Sequence, residues 1–264
     1  MKRLIITLAF SILTATSLLG LVFTPVVNAE TDIYFKVDSV TWKEFSDTGT
    51  QILKETGELY GLGIAGKTDR LNAWTFMGKF ELFGGSLDYD GQTQGGIPAQ
   101  TDTDYFGLKL EGTIGWNFPV SEKASIEPFG GLGVRYWSRD LQSTPTGIGY
   151  EELWWSFYSK FGVHGDLVVS DTVKLFAEGG IILPISNENE VNLGFAGLGN
   201  ITLEPGNEPS AFGEVGLRWK RLKVAAFYES LRFSKSDLVQ SGGFVFWQPE
   251  SEADIFGLYL GYSF

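Results

Sequence analysis

The chain is predicted to be all-β, a transmembrane up-and-down antiparallel β-barrel of about ten strands, with eight as the fallback. Three observations predict it: a period of two in the apolar residues, connections that alternate between tight and long, and a strand that runs to the last residue. In the closing stretch from Ile255 to Phe264, residues Phe256, Leu258, Leu260, Tyr262 and Phe264 share one face. Gly257, Gly261 and Ser263, with Tyr259, take the other. A free apolar strand at a chain end is an aggregation edge unless something pairs it, and closing a barrel pairs it.

The alternation predicts strands over 33–43, 57–67, 71–87, 103–118, 124–139, 150–169, 173–185, 209–220, 222–234 and 253–264. The stretch from Ile33 to Phe45 alternates poorly, which is the reason for the eight-stranded fallback. Tight connections follow the even strands: Thr68-Asp69-Arg70, Pro119 to Lys123, Ser170-Asp171-Thr172 and Lys220-Arg221. Longer polar loops, 88–102, 140–149, 186–208 and 235–252, follow odd strands. Short turns at one end and long loops at the other are the periplasmic and extracellular ends of a bacterial barrel, and an even strand number puts both termini at the periplasmic end.

Parity assigns the faces. In the third strand Trp74, Phe76, Phe80 and Leu82 point outward; in the fourth, Phe106, Leu108, Leu110, Ile114 and Trp116; in the sixth, Leu153, Trp155, Phe157, Phe161 and Val163. The inward charges are Lys79, Lys109, Arg135, Lys160, Lys174 and Arg218 against Glu81, Glu111, Glu127, Glu152, Glu178 and Glu214, with His164 among them. A selective pore shows an excess of one sign at its constriction. Interleaved, balanced signs imply mutual neutralisation across a narrow lumen, because an unpaired buried charge is costly. Inward Phe129, Trp137, Trp154 and Phe176 also favour a filled bore over an open channel.

The N-terminus implies export. Lys2 and Arg3 precede an apolar run from Leu4 to Phe23, and Val27-Asn28-Ala29 offers small residues for cleavage. Residues 1–29 are thus expected to be a signal peptide, with a single barrel domain over 30–264; a retained helix is the competing reading. Removing Lys2 and Arg3 from 20 basic residues leaves 18 against 32 acidic, net −14. Such acidity argues against nucleic acid as a partner. The absence of Cys excludes thiol catalysis and Cys-based metal sites. Aromatic content of 15% suits interfacial girdles.

The ending, with terminal Phe264, Tyr262 two places before it and Leu260 before that, resembles the C-terminal signal strand of Gram-negative outer-membrane β-barrels. The chain from Glu30 onward resembles small barrels of the outer-membrane-protein-A and opacity-protein type. The resemblance implies a monomer in the outer membrane, contacts with lipid and lipopolysaccharide, and insertion by the barrel assembly machinery.

Three motifs compete for a chemical role. Gly61-Leu-Gly-Ile-Ala-Gly66-Lys67-Thr68 fits a phosphate-binding loop letter for letter, but a turn and another alternating strand follow where a helix is required. His164 is the sole histidine. Omptin proteases and lipid A-modifying barrels use a histidine near the outer rim, whereas the strand map puts His164 near the periplasmic turn, beside Asp166 and Lys160, in a lumen hydrogen-bond network. Asp88, Asp90, Asp102 and Asp104 flank one outer loop and could hold Ca²⁺ or Mg²⁺ through oxygen ligands, or serve as solvated turn residues. No other cofactor and no catalytic constellation is expected. Phe244-Val-Phe246-Trp247 reads as an upward continuation of the ninth or tenth strand, or as a contact surface.

The expectation is an outer-membrane barrel with a charge-balanced, largely occluded lumen and a structural or surface-interaction role, the alternatives being a narrow solute channel and, behind it, an enzyme. Deleting Phe264 is expected to lower the outer-membrane yield of folded barrel; fractionation showing an undiminished yield would count against the signal-strand reading.

Overall fold

A computed structural model describes residues 29–68, 73–92, 96–145 and 147–264. Ten long strands form the wall: β1 (Ala29–Phe45), β2 (Gln51–Thr68), β3 (Trp74–Gln92), β4 (Pro98–Trp116) and β5 (Ala124–Leu141). They continue as β6 (Glu151–Ser170), β7 (Val173–Asn192), β8 (Ser210–Trp219), β9 (Leu222–Ser234) and β10 (Glu250–Ser263). Each pairs antiparallel with the next, and β10 returns to β1, with Asp32 opposite Ser263 and Phe45 opposite Glu250. The ring is closed, so the eight-stranded fallback is set aside. The apolar run of the expected signal peptide and the turn residues Asp69 and Arg70 lie outside the described residues. No described helix is long and apolar enough to cross a membrane.

Closure dictates the two faces. With the backbone of the wall hydrogen-bonded between neighbouring strands over most of its length, side chains decide what each surface meets. Ile33, Phe35, Leu62, Phe106, Val215, Leu258 and Leu260 stand exposed on the outer wall, in an apolar band. β1 alternates cleanly: Asp32, Tyr34, Lys36, Asp38, Val40, Trp42 and Glu44 are buried inside while Ile33, Phe35 and Ser39 face out. Its alternation is hidden in the sequence because Tyr34, Val40 and Trp42 put apolar bulk on the inner face.

Most strands run beyond the ends that alternation predicts, chiefly at the long-loop end. β2 starts at Gln51, β3 continues to Gln92, β4 starts at Pro98 and β7 continues to Asn192. Strands of 17 to 20 residues are about twice what a bilayer needs. Above the apolar band the outer face meets water, so the hydrophobic period fades while the hydrogen-bond ladder continues. This corrects the placing of Asp88, Asp90, Asp102 and Asp104 at a loop. All four are ladder residues, with Asp88 opposite Asp102. The reading of Phe244 to Trp247 as a continued barrel strand is also corrected. Phe244–Phe246 pairs with Val239–Ser241 in a separate two-stranded hairpin, turned by Gly242 and Gly243 at φ 56° and 84°. Gly61 to Thr68, the stretch that mimics a phosphate loop, is the lower half of β2.

Inner aromatic rings lie over glycines of the neighbouring strand. Tyr34 faces Gly63 across the β1–β2 ladder, and a Cβ on Gly63 would overlap its ring. Gly63→Ala should therefore cost about 1–3 kcal/mol through overpacking. At Gly213, where the nearest atom to an added Cβ is 3.7 Å away, the same change should be near neutral. Urea midpoints of the two variants, refolded in detergent, check the contrast.

Candidate functional site: the barrel interior

Three levels of side chains fill the bore. The outermost is an aromatic plate. Trp42 of β1 and Trp154 of β6 come from strands five places apart in a ring of ten, that is, from opposite walls. Their rings meet edge to face at 5.3 Å between centroids. Trp137 of β5 stacks on Trp154 at 5.4 Å, and Phe233 of β9 packs against Trp42 and Trp154 at 5.8 and 5.2 Å. Indoles suit this plate because each also carries a donor. Trp42 Nε1 donates to Glu44 at 3.0 Å and Trp154 Nε1 to Glu152 at 2.8 Å.

Arg139, 1% exposed, ties the plate together. Its guanidinium lies 4.8 Å from the Trp42 ring. It donates to Glu152 (2.5 Å), Glu44 (3.3 Å), Glu55 (2.8 Å) and the Tyr105 hydroxyl (2.9 Å). Glu55 also accepts from Thr103 at 2.8 Å and from Tyr105.

Below the plate lies a charged belt. Lys109 of β4 and Glu229 of β9, again from opposite walls, pair at 2.5 Å. Glu229 also takes Arg135, and Lys109 also reaches Glu111 at 3.2 Å. Glu111 accepts from Lys160 (3.1 Å) and the Tyr158 hydroxyl (2.9 Å). Glu81 gathers Lys36 (3.2 Å), Lys79 (3.1 Å) and the Tyr34 hydroxyl (2.7 Å), while Lys36 holds Asp38 at 2.8 Å. Lys160 sits 4.2 Å from the Phe212 ring.

The lowest level is a vestibule of about 1340 Å³, counting space open to solvent, at the short-turn end. His164 lies here, 3.4 Å from both Asp166 and Glu178 and stacked on Phe176. Lys67 pairs with Glu127 at 3.0 Å, and Arg218 with Asp32 at 3.2 Å and with Glu30. Glu214 accepts from Tyr259, with Lys223 3.9 Å away. Lys174 lines the vestibule without an ion-pair partner among the described residues.

Of the inward charges named from the sequence, Lys79 with Glu81, Lys109 with Glu111, and Lys160 with Glu111 and Glu178 come together directly. Arg135, Glu127, Glu152, Glu214 and Arg218 find partners the sequence reasoning missed: Glu229, Lys67, Arg139, Lys223 and Asp32. Lys36, Asp38, Glu44 and Glu55 were also missed. Parity in β1, β2, β5 and β9 was the available signal. The alternative cation site weighed at Asp88, Asp90, Asp102 and Asp104 finds no converging ligands among the described residues. These residues lie exposed on the outer wall, spread along the β3–β4 ladder, and no group of three or more candidate ligands converges among the described residues.

A closed ten-stranded antiparallel barrel with an apolar outer band and a polar interior is the fold of outer-membrane β-barrels. More particularly, the chain is similar to the outer-membrane protease OmpT of Escherichia coli. The TM-score is 0.56 at 12% identity, covering 90% of this chain and 97% of that one. It is less similar to the translocator domain of the autotransporter NalP from Neisseria meningitidis, at TM-score 0.41 and 9% identity over 97% of this chain and 96% of that one. The Pseudomonas putida toluene transporter TodX follows at TM-score 0.38 and 12% identity, covering 92% and 90%. At such identities the likeness is one of fold. No described protein family and no curated protein matches the sequence.

Glu229→Gln leaves Arg135 and Lys109 without their shared carboxylate. It is expected to lower the unfolding free energy by about 3 kcal/mol, whereas Lys174→Gln should change it by less than about 0.5 kcal/mol. Urea unfolding followed by heat-modifiable gel mobility measures both.

Proposed function

We propose that this protein is a non-conducting, non-catalytic barrel of the outer membrane, of the small monomeric kind its ending resembles. Its work is structural or is done by its outer loops. The observation that carries the reading is contact across the bore at two separate levels, Trp42 with Trp154 and Lys109 with Glu229. A solute would have to displace a buried aromatic plate and break a desolvated ion pair, each costing several kcal/mol. Interleaved charges of both signs add to this, since conduction favours an excess of one sign at a constriction.

The loops supply what the bore does not. Walls continue above the apolar band and hold the tips rigidly, which is the arrangement that lets loops carry binding. Leu238, Phe244, Val245 and Trp247 stand exposed on and beside the outer hairpin, a surface suited to an apolar or lipopolysaccharide-bearing partner. His164, at the opposite end and held between two carboxylates, supports a packing role over a hydrolytic one.

Purified protein in planar bilayers is expected to give no conductance steps, while Trp42→Ala combined with Trp154→Ala opens a measurable conductance. Steady steps from the unaltered monomer would overturn the occluded reading and favour a solute channel.

A further inference from the structure

At the outer end of the bore one buried cation serves three buried carboxylates. Arg139 is the sole ion-pair partner of Glu44, Glu55 and Glu152 among the described residues. With all three ionised the group is net −2, on side chains from residues no more than 8% exposed. The surrounding elements bring no second cation to it. β3, β4 and the approach to β6 face it with Tyr89, Tyr105 and Tyr150. At this level β7, β9 and β10 present Asn189, Phe233 and Ser251. Lys235 and Asp47 pair with each other outside it, in solvent. Lys43, Lys54 and Glu252 share one register position on the outer wall here, so the group lies above the apolar band.

A carboxylate crowded by burial and by like charges keeps its proton to higher pH. Arg139 stands 2.5 Å from Glu152 and 2.8 Å from Glu55 but 3.3 Å from Glu44, which is therefore the least neutralised. Burial pushes the Glu44 carboxyl up to about 7. Trp42 Nε1, Arg139 and Gln248 Nε2 all donate to Glu44 Oε1, at 3.0, 3.3 and 3.4 Å, so a proton on Oε2 disturbs none of them. Gln248 carries the effect of that proton out of the bore. It closes the base of the outer loop 237–247, which holds the Phe244 hairpin. Its backbone N–H donates to Ser236 Oγ at 2.8 Å, and its carbonyl accepts from the Ser236 N–H at 3.0 Å. Its side chain accepts from Asn189 of β7 at 2.9 Å and donates to Ser251 of β10 at 3.1 Å, besides Glu44. Ser236 and Gln248 are both buried.

We propose that Glu44 and Gln248 form a pH-sensitive clasp on the outer loop, closed while Glu44 carries a proton and loosened when it ionises. Ionisation leaves an uncompensated second negative charge among buried groups, a costly state. Turning Glu44 outward to water at the rim relieves it, and Gln248 then loses that acceptor. The closed state binds the proton more tightly than the open one. The clasp is therefore firm near pH 4.5, the ordinary carboxyl value, and weakens as the pH rises to about 7. It concerns the loop alone and holds whether or not the bore conducts, since the belt lies beneath it.

Hydrogen exchange over residues 237–247, read by mass spectrometry on the full barrel in phosphatidylcholine nanodiscs and corrected for the intrinsic rate at each pH, tests the clasp. Protection is expected to be about thirtyfold lower at pH 8 than at pH 5.5, the linkage of one carboxyl held at about 7 when closed and at 4.5 when open. Glu44→Gln, which keeps an uncharged acceptor for Trp42 and Gln248, should leave the loop closed at both pH values. Gln248→Ala should leave it open at both. The β3–β4 ladder over residues 79–83, away from the clasp, should not respond to pH. A change of less than about threefold in the unaltered protein, a pH response that survives in either variant, or an equal response in the β3–β4 ladder overturns the proposal.

Discussion

Glu229 is the interaction on which the interior depends. An apolar outer wall forces polar residues inward, and a ten-stranded bore is too narrow to hydrate the charges it receives. They must neutralise one another, and Glu229 does this across the diameter by taking Lys109 from the opposite wall together with Arg135. Lys109 in turn reaches Glu111, which holds Lys160, which approaches Glu178. One carboxylate therefore anchors a chain of pairs running from the belt down to the vestibule. Such a chain is weak evidence of added stability, since desolvation offsets much of the attraction. Its effect is specificity: a strand slipped by one residue would turn its charges into lipid.

The interior is asymmetric along its axis for a reason found in residue chemistry. Toward the long loops, indoles close the space between walls while their N–H groups bond to Glu44 and Glu152. Apolar plate and charged network are thereby one structure, with Arg139 stacked on Trp42 and bonded to three carboxylates. Toward the short turns no aromatic plate crosses the bore, and the vestibule remains. There Lys67, Arg218 and Lys223 pair with acids at its wall.

Fold class and strand number were legible in the sequence because lipid enforces a period of two wherever it touches the wall. The outer thirds of β2, β3, β4 and β7 were not, because water on the outer face removes that requirement while the ladder persists. The interior was half legible. Parity gave Lys79, Glu81, Lys109, Glu111 and Lys160 their inward direction. It could not give Glu229 its partners, because contact across a bore depends on strand order around the ring and on stagger. β1 was predicted as a strand, but its alternation was obscured for another reason: Tyr34 and Trp42 count as apolar in a pattern, yet act inside as a donor to Glu81 and as a plate whose edge donates to Glu44. The hairpin at Phe244 was missed because a short run of consecutive apolar residues fits a continued barrel strand as well as a short separate one. Gly242 and Gly243 were the signal that separates the two.

The ladder beside β7 is interrupted over residues 183–188, and this gap and the filled bore explain each other. A barrel wall that lacks its ladder there would be a weak point if the strands were held by backbone bonds alone. β9, next across β8, is pinned on both sides of that level by side chains: Glu229 to Lys109 and Arg135 below, Phe233 to Trp42 and Trp154 above. Contacts through the bore carry the closure that the wall omits there, so prolines at 184, 205 and 209 are tolerated where a hollow barrel would need donors. Occlusion of the lumen and the interrupted ladder are in this sense one design. The same side chains that block passage along the axis hold β9 in place where backbone pairing between β7 and β8 is missing.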